Sequence, residues 1–175
     1  MIELQPFTRA DIPSLVGWNS TPEFLRQWAG DTFTHPLDAA QVEEHLKQTA
    51  AAGDLVFKAV ERESGQAVGH IELRSIEREH RKARIARVLV GAENRGRGIG
   101  TQMMEAVLRI GFEQLGLHRM ELGVYDFNTA AIACYEKVGF KKEGLLRDVT
   151  RMGEGYWSLW TMSILEDEWR ARNPR

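Results

Sequence analysis

A chain of 175 residues with 23 basic and 25 acidic side chains has a formal charge of −2, which gives no electrostatic basis for broad nucleic-acid binding. Its 43% apolar and 27% charged residues are ordinary for a soluble globular protein, and the length suits one domain with a substantial core. No apolar run approaches the ~20 residues that span a bilayer, so no membrane partner is expected.

The single cysteine, Cys134, precludes an internal disulfide and fits a reducing compartment. The opening Met1-Ile2-Glu3-Leu4-Gln5-Pro6-Phe7 lacks the basic start and apolar core of a secretory signal, and a cytoplasmic location is expected. Cys134 lies in an apolar helical run with no obvious base nearby, so packing is its expected role.

In chain order, residues 2–7 read as a strand and 9–18 as a helix with Pro13 in its first turn. Thr21-Pro22-Glu23 starts a second helix, with Thr as cap and Pro at the first helical position. Residues 29–37 read as a loop. Asp38-Ala39-Ala40-Gln41 has the form of a capping box, and the helix after it stops at Gly53. Strands follow over 54–61, 66–76 and 82–90, with short links that predict an antiparallel meander. Ile99, Met103, Val107 and Ile110 form the apolar stripe of a helix that runs to about Leu115. A strand over 118–125, a helix over 128–138 and strands over 140–147 and 155–165 complete an α+β (mixed α/β) domain with one central sheet.

The most informative stretch follows the third meander strand: Arg95-Gly96-Arg97-Gly98-Ile99-Gly100-Thr101 opens a helix. A helix N-terminus exposes unpaired N–H groups and a partial positive charge, which suit a pyrophosphate. The glycines allow close backbone approach, and Arg95 and Arg97 add charge and forked donors. A Walker loop is absent, and the glycine spacing is wrong for a dinucleotide fingerprint. A further run of basic residues, Arg74, Arg78, Arg81, Lys82, Arg84 and Arg87, reads as a solvated strand edge.

Asn128 and Tyr135, 28 and 35 residues after Gly100, are seven apart on the later helix. Their directions differ by only ~20°, so both can face one groove. A phenol with pKa near ~10 suits protonation of a departing thiolate. Asn128 also has the form of a helix N-cap, a role compatible with ligand contact.

Arg95-Gly96-Arg97-Gly98-Ile99-Gly100 resembles the Arg/Gln-x-x-Gly-x-Gly/Ala signature of GNAT acetyltransferases, and Asn128, Tyr135 and Gly139-Phe140 resemble the next segment of that family. The motif core covers residues 83–147, and the element order extends the likeness over essentially the whole chain. Gly69-His70-Ile71-Glu72-Leu73, Glu143-Gly144-Leu145-Leu146-Arg147 and the ending Ser163-Ile164-Leu165 with Glu168-Trp169 are similar to the branch of ribosomal-protein N-terminal and spermidine acetyltransferases.

The resemblance implies a single-domain fold with a mostly antiparallel sheet splayed at the cofactor site. It implies acetyl-CoA as co-substrate, a primary amine as acceptor, and no metal. Backbone groups of Val88, Leu89 and Val90 would pair with the pantetheine arm and polarise the thioester. The loop amides from Arg95 to Thr101 would hold the pyrophosphate, Asn128 would bind the pantetheine region, and Tyr135 would sit near the sulfur.

Glu72 is the first candidate for the base that takes the proton of the amine, with His70, Glu121 and solvent as alternatives. Some relatives of this kind carry a catalytic Glu five residues before the motif Asn, where this chain has Gly123. The acceptor walls are sought among Trp18, Phe24, Trp28, Phe33, Tyr156, Trp157 and Trp160, with Glu23, Asp31 and Glu154 as acids suited to a polyamine. The exposed late strands offer a surface for pairing two copies. A CoA-binding sensor without turnover, or transfer of a longer acyl group, is also compatible with the motifs.

Overall fold

The computed structural model describes residues 1–174. A seven-stranded sheet is ordered β1-β2-β3-β4-β5-β7-β6. The strands are β1 (Ile2–Pro6), β2 (Leu55–Glu61), β3 (Ala67–Glu77), β4 (Lys82–Val90), β5 (Arg119–Tyr125), β6 (Lys141–Met152) and β7 (Gly155–Leu165). Every neighbouring pair is antiparallel except β4 with β5. The predicted meander is β2-β3-β4.

The two faces of β3 show how the sheet divides the molecule. Ile71 and Leu73 point into the main core with Met103, Val107 and Phe112. His70 and Glu72 point the other way, toward helices near the N-terminus. That second layer holds α1 (Ile12–Trp18), α2 (Pro22–Ala29) and α3 (Ala39–Ala52), whose apolar residues form a smaller cluster around Leu15, Leu25 and Val42. The opposite layer holds α4 (Ile99–Arg109) and α5 (Thr129–Val138), with α6 (Glu166–Arg172) anchored through Trp169. Met103, Met104 and Leu108 of α4 are almost fully buried, each contributing roughly 1.5–3 kcal/mol by leaving water.

The predicted helix over 9–18 is a 3₁₀ turn, Arg9–Asp11, that leads into α1. Thr21 caps α2 by accepting from the Phe24 N–H at 3.1 Å, and Asp38 caps α3 by accepting from the Gln41 N–H at 2.9 Å. The expected capping box is only half made, because the Gln41 amide instead bonds Thr34 and Pro36 and fastens the loop before α3.

The predicted long helix is α4 followed by a π turn over Ile110–Gln114. Gly111 lies within it, and the Met120 thioether occupies the space a Cβ there would need. Strand β6 runs to Met152, past the predicted 147, with a register shift between Leu146 and Thr150 and left-handed Asp148. The helix α6 goes beyond the predicted elements. Its acidic first turn, basic last turn and the bond from the Leu165 N–H to Glu168 at 3.0 Å are sequence-local signals for it.

At Gly69, β3, β4 and α4 pack closely. A Cβ there would stand 2.6 Å from the Leu89 carbonyl oxygen and 2.8 Å from Met103 Sδ. Gly69→Ala should therefore cost about 1–3 kcal/mol, read as a lower denaturant midpoint with unchanged slope. An unaltered midpoint would refute the close packing.

Candidate active site

Strands β4 and β5 pair only at their first residues, where Lys82, Ala83 and Arg84 lie opposite Arg119, Met120 and Glu121. Beyond them the strands separate. On its far side β4 stays paired to β3 as far as Val90, and β5 stays paired to β7 as far as Tyr125. A cleft of about 440 Å³ opens between the inner edges. Residues 84–88 form one wall and 122–125 the other, with Asn128 and Tyr135 at the α5 side. Helix α2, including Phe24 and Trp28, closes it from the second layer.

A β-bulge contributes to the separation. Glu72 pairs with Ala86 and His70 with Leu89, so β4 carries one extra residue across that step. Arg87 sits at the bulge with φ of +50°. Its guanidinium turns back to Glu72, donating to Oε2 at 3.0 Å, and also reaches the Thr32 hydroxyl.

The glycine-rich loop follows the end of β4. Gly96 and Gly98 adopt left-handed backbone, φ +75° and +74°, which glycine alone adopts without strain. Gly98 is the N-cap of α4 and has no side chain to cap it. The N–H groups of Ile99, Gly100 and Thr101 thus begin a helix with no intrahelical partner. Val90 lies beside Gly100, Val88 lines the cleft, and the Leu89 side chain is buried on the other face. Arg95 donates to the Val90 carbonyl at 3.2 Å and stacks over Phe24 at 5.1 Å. Arg97 bonds Asn94 at 3.1 Å and Glu61 at 2.5 Å, so its guanidinium lies toward β2. The Thr101 hydroxyl lies 3.5 Å from the Cys134 thiol, whose pKa burial raises, in keeping with a packing role.

Asn128 caps α5, accepting from the Ala131 N–H at 3.3 Å, and also lines the cleft. Tyr135, 8% exposed, lies two turns further along α5 and lines the same cleft. Burial raises its phenol pKa, with a smaller contribution from Cys134. The group is therefore protonated at neutral pH and able to donate.

Glu72 is not at the cleft surface. It is 0% exposed and contacts His45 Nε2 at 2.9 Å, His70 Nε2 at 3.1 Å and Arg87, with Arg74 Nε at 3.7 Å. Burial alone would raise its pKa; hydrogen bonds from His45 and His70, and the charges of His70 and Arg87, outweigh it and hold the carboxyl below its usual range. A carboxylate held so strongly in its charged form is a weak base, which counts against the role expected of it. His70, 1% exposed, also lies off the cleft, and Glu121 is paired with Arg119 at 2.9 Å. At Gly123 a side chain would meet Arg84 at 2.7 Å and Leu159 at 2.8 Å, so the space where relatives place a Glu is filled.

Of the expected acceptor walls, Phe24 and Trp28 line the cleft; Trp18, Phe33, Tyr156, Trp157 and Trp160 do not. Phe33 belongs to the second core, and Trp157 packs on Tyr125 and Phe127. Glu23, Asp31 and Glu154 are also absent from the lining. In their place stand Arg74, Arg84 and Arg87, three of the basic residues that read as a solvated strand edge. Sequence could show their charge but not that the separation of β4 from β5 would turn them inward.

The acetyltransferase (GNAT) domain family matches residues 2–141, and the chain belongs to that family of acetyltransferases. It is 25% identical over 172 residues to spermidine N(1)-acetyltransferase of Escherichia coli strain K12, covering 98% of this chain and 90% of that one. An uncharacterized N-acetyltransferase from the SPbeta prophage of Bacillus subtilis is 32% identical over 127 residues, covering 73% and 70% of the two chains. The fold is similar to the crystal structure of spermidine N-acetyltransferase from Vibrio cholerae in complex with CoA and spermine. The TM-score is 0.84 at 24% identity, with 96% and 97% of the chains covered.

Glu72 offers a direct test of the charged cluster. Its folded pKa lies below the ordinary 4.5, so its stabilisation is complete above about pH 4.5 and fades as pH falls further. Among the described residues, the charged or titratable groups bonded to it are His45, His70, Arg74 and Arg87. Glu72→Gln should cost on the order of 3 kcal/mol at neutral pH. The gap to wild type should narrow in acid, as read by chemical denaturation at several pH values. A gap independent of pH would refute the ionised state.

Proposed function

We propose that this protein transfers an acetyl group from acetyl-CoA to a primary amine by direct attack in a ternary complex. The observation that carries this reading is the cleft between β4 and β5, with the Tyr135 phenol in its wall and the uncapped start of α4 beyond its end. The amides of residues 95–101 are suited to the pyrophosphate, and the guanidinium of Arg95 adds charge beside them. The inner edge of β4 near Val88 to Val90, which has no strand partner, is suited to the pantetheine arm. Asn128 has amide donors left over from its capping bond.

The amine lone pair forms a bond to the thioester carbonyl carbon, and a backbone N–H of β4 stabilises the oxygen as it gains charge. The C–S bond then breaks, Tyr135 gives its proton to the departing sulfur, and the extra proton of the nitrogen passes to water, from which the phenol is reprotonated. No carboxylate lines the cleft among the described residues. Glu72 instead fixes Arg87 and the bulge, acting as a positioning residue. Guanidinium groups at the acceptor end disfavour a neighbouring ammonium, so the amine more readily presents its uncharged form.

The acceptor is a small amine, a polyamine or a protein N-terminus, with acetyl-CoA as the donor. The primary assay is thiol release from acetyl-CoA against amines of each class. Amine-dependent release supports transfer. CoA binding with no release across the panel would favour a sensor with the same fold. The outer strand β6, with exposed Leu146 and Val149 at the sheet edge, supports pairing of two copies of the chain.

Tyr135→Phe should lower kcat by about 10²–10⁴-fold. The hydroxyl makes no hydrogen bond to the described residues, so thermal stability should hardly change. An unaltered kcat would remove Tyr135 from the proton path.

Gly98→Glu would place a carboxylate at the start of α4, and it meets nothing within 4 Å at its Cβ. Left-handed backbone adds a strain of about 1–2 kcal/mol. CoA affinity by calorimetry should fall by more than about tenfold; unchanged affinity would refute the loop assignment.

A further inference from the structure

We propose that the acceptor carries a carboxylate as well as its amine, received by the guanidinium of Arg84 with Arg74 and Arg87 at the closed end of the cleft. The inference rests on the transferase reading and names its substrate class. All three arginines line the cleft, and no acidic side chain does so among the described residues.

Their existing partners lie behind them. Arg74 uses Nε on Asp54 at 3.1 Å, which leaves its terminal nitrogens for the cleft. Arg87 is held by Glu72 and Thr32, and its side chain is only 9% exposed. Its Nε is nevertheless buried without a hydrogen-bond partner. With that nitrogen out of reach, Arg87 offers the cleft charge rather than a free donor. Arg84 has the freest donors. It approaches Glu121 only to 3.8 Å, its side chain is 41% exposed, and its tip lies over Gly123.

These groups stand apart from the phosphate loop. Arg84, with Arg74 opposite it on β3, precedes Val90 by six residues, about 20 Å along a strand, and Arg87 lies between them and the loop. They therefore face what enters from the α2 side, where Phe24, Trp28 and Leu159 add apolar surface. A forked guanidinium matches a carboxylate in shape and charge. A polyamine meets the same surface as a like charge. The ligand chemistry is that of an α-amino acid with an apolar or aromatic side chain.

The test pairs phenylalanine, methionine and leucine with their carboxamides, adds spermidine, and reads CoA release from acetyl-CoA. Removing the carboxylate lowers the pKa of the neighbouring amine, so intrinsic reactivity favours the amides. The expected result is the reverse, with kcat/KM for the acids at least about tenfold above their amides and spermidine lowest. In Arg84→Gln the acid-to-amide ratio should fall toward one, through KM rather than kcat. The Arg84 side chain approaches an acid only at 3.8 Å and makes no hydrogen bond within the described residues, so the variant should fold.

Amides or spermidine equal to or better than the acids would overturn the inference and leave the transferase reading intact. Calorimetry with N-acetylphenylalanine and its amide, with and without CoA, reads the carboxylate site without turnover. Tighter binding of the acid, lost in Arg84→Gln, is expected; equal affinity would overturn the inference. No release from any amine alongside Arg84-dependent binding of the acid would instead refute the transferase reading.

Discussion

A single buried carboxylate ties the central sheet to the helical layer near the N-terminus. Glu72 sits on β3 with no exposure to solvent, and its oxygens hold His45 of α3, His70 of β3 and Arg87 of β4. Desolvating a charge is expensive, and only close hydrogen-bonded partners offset it. The partners come from different elements, so the ionised state requires α3, β3 and β4 to be in register at once. Aromatic rings seal the cluster, with Phe7 and Trp28 edge-on to His70 and Phe33 edge-on to His45.

The same interaction shapes the cleft. Arg87 reaches Glu72 from a bulged, left-handed backbone position, and β4 loses its pairing with β5 a few residues before it. A parallel pair that stops after Arg84 leaves two strand edges facing a gap within an otherwise continuous sheet. An extended ligand can supply the missing strand there, because the backbone groups are already aligned for it. The acid-base chemistry is divided accordingly: a protonated phenol lies in the gap, while the carboxylate that sequence offered as base is committed to structure.

The cleft also has a polarity. At one end, glycine backbone and the start of α4 favour an anion; at the other, guanidinium groups line the cleft. Both ends are electropositive in a chain whose net charge is −2. Two of the compensating acids, Asp54 and Glu72, are buried against Arg74 and Arg87. Burying those negative partners gives a local field that overall composition does not reveal.

Residues close in sequence carried much of this structure in legible form. The caps Thr21 and Asp38, the left-handed glycines Gly53, Gly96 and Gly98, the apolar stripe of α4 and the shared face of Asn128 and Tyr135 depend on local backbone rules, so a linear reading recovers them. The order of elements, the meander and the loop motif follow from the same kind of information. The partner of Glu72 was not legible, because His45 lies 27 residues from it and meets it only when α3 packs on the sheet. Nor was the turning inward of Arg74, Arg84 and Arg87, since an alternating basic strand reads the same at a solvated edge as beside a cleft. Sequence by itself determined the elements and the loop, through short-range sterics and periodicity. Tertiary structure alone decided which carboxylate is buried and which cations line the cleft, because those outcomes depend on long-range contacts that set desolvation and charge pairing.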